Sequence, residues 1–157
     1  MNTTTTRRIT AAAAGVAGIA AVGAGFAGIA NAGTLPVTHP GEPTIAMTIT
    51  NHTNKTEHLL STGTSGNGVV VSGARQTLAP GASETISVVA PHGTKLAATV
   101  AYRIGVGGPT ATYEVLNSQA NTNTGTTGVS GASAGQYRIN HNFTSHYPNT
   151  NVGFDLW

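Results

Sequence analysis

Apolar side chains recur at every second position in several short segments of the chain, and this period limits the fold more than any other feature. The clearest case is the segment 98–104, where alternation places one set of residues on a common face: Ala98, Val100, Tyr102 and Ile104. A period of two is that of a β-strand with one buried face. From residue 33 onward no segment keeps the helical period of about 3.6, so the sequence predicts an all-β protein.

Clusters of Gly, Pro, Asn and Ser separate further short segments that are predicted to be strands; one of them, at residues 69–71, is a β-branched run of three valines between glycines. The other predicted strands cover residues 44–50, 69–71, 84–89, 111–116, 137–143 and 151–157. The Thr- and Gly-rich stretch 120–135 is interpreted as a thin edge strand around residues 124–129 followed by a mobile loop, in preference to a flexible loop throughout. Turns are expected at residues 79–82 and 105–109. Together these patterns predict a single antiparallel β-sandwich domain over residues 44–157.

The first 32 residues have the layout of a secretory signal peptide. Arg7 and Arg8 form a short positive region, and residues 11–30 form an uncharged apolar stretch. That stretch consists mostly of Ala and Gly, which favour a membrane much less than Leu or Phe, so cleavage is favoured over retention as an anchor. The general secretory route is favoured over the twin-arginine route, because the residues after Arg8 lack the expected bulk.

Cleavage is predicted between Ala32 and Gly33, because Ala30, Asn31 and Ala32 form an A-x-A pattern. Residues 33–43 would then be a short linker before the sandwich. Of 157 residues, 125 remain after the first 32 are removed, which suits one domain.

The charge of the chain changes when the two signal arginines leave. Five Lys and Arg residues then face five Asp and Glu residues, so the formal charge is zero. A neutral domain lacks the basic surface of a nucleic-acid binder, and no nucleic-acid partner is predicted. An exported domain without cysteine fits a bacterium better than a eukaryote. We therefore expect a secreted, extracellular protein or one associated with the cell envelope.

The polar stretch NHTNKTEH at residues 51–58 raises the question of a metal site. His52 and His58 could be ligands, with Glu57 beside them. Zinc sites use three or four His, Cys or carboxylate ligands, and an isolated His pair is a weak indication of one. No metal and no other cofactor is predicted.

The same stretch also contains glycan-acceptor patterns at Asn51 and Asn54, and a third occurs at Asn142. In an Asn- and Thr-rich bacterial chain these patterns are expected by chance. Asn54 and Lys55 suit the corner of a tight hairpin. A turn is therefore the favoured interpretation of this stretch.

Few groups are suited to catalysis. The carboxylates after the signal are Glu42, Glu57, Glu84, Glu114 and Asp155. A catalytic pair must face across a cleft, and the spacing indicates no such pair. The pattern of a nucleophile elbow is absent as well. The sequence therefore predicts a protein that is not an enzyme.

Two segments carry a resemblance to a known group: TIAMTITNHTNKTEHLLSTGT and QTLAPGASETISVVAPHGTKLAATVAYRIG. An alternating strand ends in Asn-x-Thr, and a polar turn and a Leu-bearing strand follow. A Pro-Gly turn, a Gly-Thr pair and a V-x-Y-x-I strand come next. Over about residues 44–116 the chain resembles the aegerolysin-like and small bacterial crystal-toxin group. The resemblance implies a β-sandwich and a toxin-like or lipid-binding activity, although EVLNSQANTNTG at residues 114–125 lacks the tryptophans that such proteins often carry there.

We therefore expect a secreted, non-enzymatic interaction module of the extracellular space or cell envelope; the alternative is an aegerolysin-like toxin or a protein that binds membrane lipid or glycan. The expected partner is a membrane lipid, a glycan, or a host or envelope protein. The candidate ligand-facing residues are Tyr147, in the loop SHYPN, and Trp157, on the face opposite Phe154. Amphipathic rings suit a lipid or sugar interface, whereas the competing interpretation has both rings capping the open end of the core.

Overall fold

The computed structural model describes residues 41–157. The predicted signal peptide at residues 1–32, its cleavage site at Ala30, Ala32 and Gly33, and most of the linker at residues 33–43 lie outside this range. No helix within the described range is long and apolar enough to cross a membrane.

Residues 41–157 form eleven strands and one short 3-10 helix, Ala134–Gln136. The strands are β1 Thr44–Asn51, β2 Glu57–Ser65, β3 Val69–Ser72, β4 Thr77–Leu78, β5 Ser83–Val89, β6 Lys95–Ile104, β7 Thr110–Ser118, β8 Thr122–Asn123, β9 Gly128–Ser130, β10 Ile139–Ser145 and β11 Asn149–Leu156.

Two β-sheets pack against each other, which confirms the predicted all-β sandwich. The first sheet has the order β10-β11-β1-β5-β3, and the second has β4-β2-β6-β7, with β8 and β9 both paired to β7. The strand pairs are antiparallel except for β1 and β11, which run parallel. A parallel pair needs a long crossover connection, and strands β2 to β10 provide one.

The core consists of the faces that alternation predicted. The five inward residues of β6, which include Leu96, are each at most 2% exposed, and Val152, Phe154 and Leu156 of β11 are fully buried. The Tyr113 ring packs edge-on against Phe154 and Tyr102, with ring centroids 5.6 and 6.5 Å away. Edge-to-face packing is a favoured arrangement of aromatic rings, so these three residues form the centre of the sandwich.

The strand β2 was not predicted from alternation, and only the resemblance implied a strand there. After Glu57 its side chains are half-buried or exposed, so no buried face requires a period of two. The predicted hairpin at Asn54 and Lys55 is wrong. Because β1 lies in the first sheet and β2 in the second, residues 52–56 form a connection between the sheets.

The predicted edge strand at residues 124–129 is also wrong as one continuous strand. A turn separates β8 from β9, with Gly125 in the left-handed region at φ +51°. The turn is held by Glu114 of β7: its carboxylate accepts a hydrogen bond from the Thr126 hydroxyl, and its amide donates to Thr127 Oγ1 at 2.8 Å. These hydrogen bonds join residues that are far apart in sequence, so the local propensities of the sequence do not predict them.

Candidate functional site

The connection at residues 52–56 is fixed by the side chain of Asn51, which is fully buried. Its Nδ2 donates to the carbonyls of Lys55 and Leu78, at 2.8 and 3.0 Å. Its Oδ1 accepts from the amide and the hydroxyl of Thr53, at 3.0 and 2.7 Å. All four hydrogen-bonding positions of the amide group are therefore used. Asn51 is a structural residue, and its burial makes it inaccessible as a glycan acceptor, whereas Asn54 is exposed.

The three residues considered for a metal site point in different directions. Glu57 is fully buried in the core. His52 Nε2 lies 2.8 Å from Oδ1 of Asp155, which belongs to β11 in the first sheet. His58 lies on β2, in the second sheet. Within residues 41–157, no group of three or more His, Cys, Asp or Glu side chains is arranged to hold a metal ion.

The two candidate ligand-facing residues, Tyr147 and Trp157, lie at opposite ends of β11. That strand has eight residues, so about 26 Å of extended chain separates its two ends. Tyr147 is half-buried in the loop between β10 and β11. Trp157 is 42% exposed, and its indole stacks on the His52 ring at 3.9 Å with an interplanar angle of 3°. The structure therefore does not bring the two aromatic residues together on one surface.

Two carboxylates lie inside the sandwich, and each contacts a tyrosine hydroxyl. Tyr113 Oη donates to Glu57 Oε2 at 2.8 Å. Tyr102 Oη donates to Glu84, whose other oxygen accepts from the Arg75 amide at 2.8 Å. The Oε1 atom of Glu57 is buried without a hydrogen-bond partner among the described residues.

Burial determines the ionisation of this network. Loss of solvent raises the pKa of Glu57 to about 7; the Tyr113 hydrogen bond acts in the opposite direction, and the charge of Glu84 adds to the increase. Burial also raises the pKa of Tyr113 well above its usual range. Glu57 is 0% and Glu84 5% exposed, so an external substrate cannot reach either carboxylate for acid–base chemistry.

One long side of the sandwich carries two strand edges without a neighbouring strand in the described part of the chain. β3 is the last strand of the first sheet, and β4 covers only Glu57 and His58 of β2. We call the segments 60–65 and 69–72 the lateral edge. Val69, Val70 and Val71 are 49–52% exposed, and Leu60 is 44% exposed.

Local irregularities in the strands help to expose these side chains. The pairing register shifts around Leu60 in β2 and around Val71 in β3, as in a β-bulge. A bulge turns a side chain away from the regular alternation. The lateral edge therefore presents apolar side chains to solvent, and residues 59–74 contain no charged residue. Between the two edges a small cleft reaches Ile86 and Val88 of the core.

A second cleft, which we call the loop cleft, has a volume of about 240 Å³ and lies at the end of the sandwich beside residues 52–56. Its walls come from this connection, from the turn between β6 and β7, and from the loop that follows β9. The lining residues are Lys55, Ile104, Gly105, Val106, Gly107, Gly108, Pro109, Ala132, Ser133, Gln136 and Tyr137.

Sequence reasoning missed both the lateral edge and the loop cleft. The uncharged run at residues 59–74, which contains three consecutive valines, is a signal that could have indicated an interaction edge. No comparable signal exists for the loop cleft, because its walls come from three segments distant in sequence. No protein-family model matches the chain, and no curated protein is significantly similar to it.

Proposed function

We propose that this chain is a secreted, non-enzymatic interaction domain that binds a protein partner along the lateral edge. The observation that carries the proposal is the exposure of Val69, Val70 and Val71 on an outer strand. Sheet edges are commonly protected by charged side chains or proline, and this edge has neither. Contiguous exposed apolar side chains mark interaction surfaces.

The absence of charged residues along the lateral edge also indicates the chemistry of the partner surface. A charged partner surface would lose hydration against residues 59–74 without gaining an ion pair. The complementary surface is therefore expected to be apolar and uncharged. Secretion is supported by the layout of residues 1–32, and the absence of enzymatic activity is supported by the burial of Glu57 and Glu84.

The variant Val70→Lys tests the proposal by placing a charge in the middle of the lateral edge. Ala120→Lys is the matched control, because Ala120 is exposed, lies between β7 and β8, and belongs neither to the lateral edge nor to the loop cleft. Binding of the labelled protein to an envelope fraction of its own source should be saturable, should fall strongly for Val70→Lys and should be unchanged for Ala120→Lys. Equal binding by both variants at equal melting temperatures would contradict the proposal.

Secretion has a separate test. N-terminal sequencing of the exported product should give Gly33 as the first residue. A product that keeps residues 11–30 and remains in the membrane fraction would instead support an anchor.

The aegerolysin-like alternative would give a different result. A lipid-binding toxin should bind liposomes, and substitution of Tyr147 or Trp157 should weaken that binding while Val70→Lys has no effect. Tyr147 and Trp157 lie at opposite ends of β11, so one lipid-binding surface could not readily include both residues. This separation favours the lateral edge as the binding surface.

A further inference from the structure

We propose that the loop cleft binds an acidic saccharide unit, a sugar ring that carries a carboxylate. This site is separate from the lateral edge, so the domain would connect a protein partner to an acidic polysaccharide. Three features support the inference: the charge of the lining, its polar groups and its rigid construction.

Lys55 is the one charged side chain among the described residues that line the cleft. It forms no ion pair with the described residues, and no carboxylate lines the cleft. A lysine without a partner at the wall of a concave site attracts an anionic group, and a charge-assisted hydrogen bond to a carboxylate is stronger than a neutral one. The ligand is therefore expected to carry a negative charge.

The remaining lining suits a ring with hydroxyl groups. Tyr137 contributes a half-buried aromatic ring, and Gln136 and Ser133 are exposed groups that can donate and accept hydrogen bonds. Amphipathic aromatic rings suit interfaces that are partly apolar and partly wet. At about 240 Å³ the cleft lies below the range of roughly 300–1,000 Å³ typical of drug-sized ligands, which fits a single sugar ring.

Hydrogen bonds hold the backbone of Lys55 in place before any ligand binds. Its carbonyl accepts from Asn51 Nδ2 at 2.8 Å, and its amide donates to Thr53 Oγ1 at 3.1 Å. Its side chain packs over Gly105, where an added Cβ would come within 3.0 Å of Lys55 Cδ. Gly105 has φ +68°, a conformation that also favours glycine. A wall that is already ordered loses little conformational entropy on binding.

The test is a titration of the isotope-labelled protein with D-glucuronate, followed by the amide resonances in NMR. D-glucose and acetate serve as probes of the sugar ring and of the carboxylate alone. We expect D-glucuronate to shift the amides of residues 105–108 and 133–137, and to bind more tightly than either control.

Variants separate the role of the charge from that of the fold. Lys55→Met keeps the stem over Gly105 and should weaken D-glucuronate binding by about tenfold, as expected for loss of a charge-assisted hydrogen bond. Lys95→Met, outside the loop cleft, is the matched control and should bind normally. Gln136→Ala removes an exposed amide from the wall and should also weaken binding.

Several outcomes would overturn the inference. Absence of shifts at the loop cleft in the millimolar range would exclude the site. If acetate binds as tightly as D-glucuronate, the cleft is a general anion site and not a saccharide site. If D-glucose binds as tightly as D-glucuronate, or if Lys55→Met binds D-glucuronate normally, the charge of Lys55 has no role in binding. The spectrum of each variant shows whether it is folded, so loss of binding cannot be confused with unfolding. None of these results depends on the partner of the lateral edge.

Discussion

The Tyr113 hydroxyl donates a 2.8 Å hydrogen bond to Glu57 Oε2 inside the sandwich, and both side chains are fully buried. Glu57 begins β2, Tyr113 lies on β7, and β6 lies between these strands in the second sheet. Because desolvation raises the pKa of Glu57 to about 7, its protonation changes near neutral pH. A group of this kind links the stability of the fold to pH.

The first prediction concerns the direction of that pH dependence. Glu57 has an unperturbed pKa of 4.5 and a folded-state pKa of about 7. Between these values the folded state keeps a proton that the unfolded state has lost, so the free energy of unfolding falls as the pH rises. The contribution is fully present below about pH 4.5 and lost above about pH 7, and it amounts to about 3 kcal/mol. Glu57→Gln should remove this dependence.

Chemical denaturation of both proteins at several pH values measures the effect. The stability of the wild-type protein relative to Glu57→Gln should fall between pH 4.5 and pH 7 and stay constant above that range. A difference that does not change with pH would show that Glu57 is not the responsible group.

Tyr113→Phe tests the hydrogen bond itself. The substitution leaves Glu57 Oε2 without its donor in the core, which should lower stability by about 1–3 kcal/mol. Because the Tyr113 hydrogen bond lowers the pKa of Glu57, its loss should raise that pKa further and move the pH transition upward. Tyr147→Phe is the control, because the Tyr147 hydroxyl has no hydrogen bond to the described residues. A pH transition that stays in place would contradict this assignment.

The sequence predicted the parts of the fold that have one buried face. In β6 and β11 the core requires an apolar residue at every second position, and this requirement appears directly as alternation. In β2 most side chains after Glu57 reach solvent, and the requirement disappears. The β-branched run at residues 69–71 predicted β3 as a strand, but a run without alternation gave no sign that its valines are exposed.

The buried carboxylates show a second limit of sequence reasoning. Glu84, Ile86 and Val88 occupy every second position of β5 and therefore lie on the same face, so the inward position of Glu84 could have been predicted. Its contact with Tyr102 spans 18 residues, and that of Glu57 with Tyr113 spans 56. Contacts over such separations depend on strand order, which the sequence pattern does not specify.

Asn51→Ala should destabilise the fold, whereas Asn54→Ala should not. Asn51 is fully buried and makes three hydrogen bonds to the connection between the sheets and one to Leu78 of β4, so its loss leaves buried backbone groups without partners. We expect a cost of about 3 kcal/mol. Asn54 is exposed, and its substitution should change stability by about 0.5 kcal/mol or less. Thermal denaturation compares the two variants, and similar melting temperatures would show that the Asn51 bonds do not support the fold.

The last prediction is that β11 is structural and not a free recognition segment. β11 lies between β1 and β10, and Phe154 is fully buried against Tyr113. Phe154→Ala should therefore cost about 3–5 kcal/mol, a large share of the roughly 5–15 kcal/mol that stabilises a typical domain. Trp157→Ala removes a half-exposed ring stacked on His52 and should cost only about 1 kcal/mol.

Deletion of residues 151–157 should prevent folding, because it removes the strand that pairs with both β1 and β10. On the competing view, the shortened protein would melt normally and lose only a partner; an unchanged melting temperature after the deletion would therefore disprove a structural role for β11.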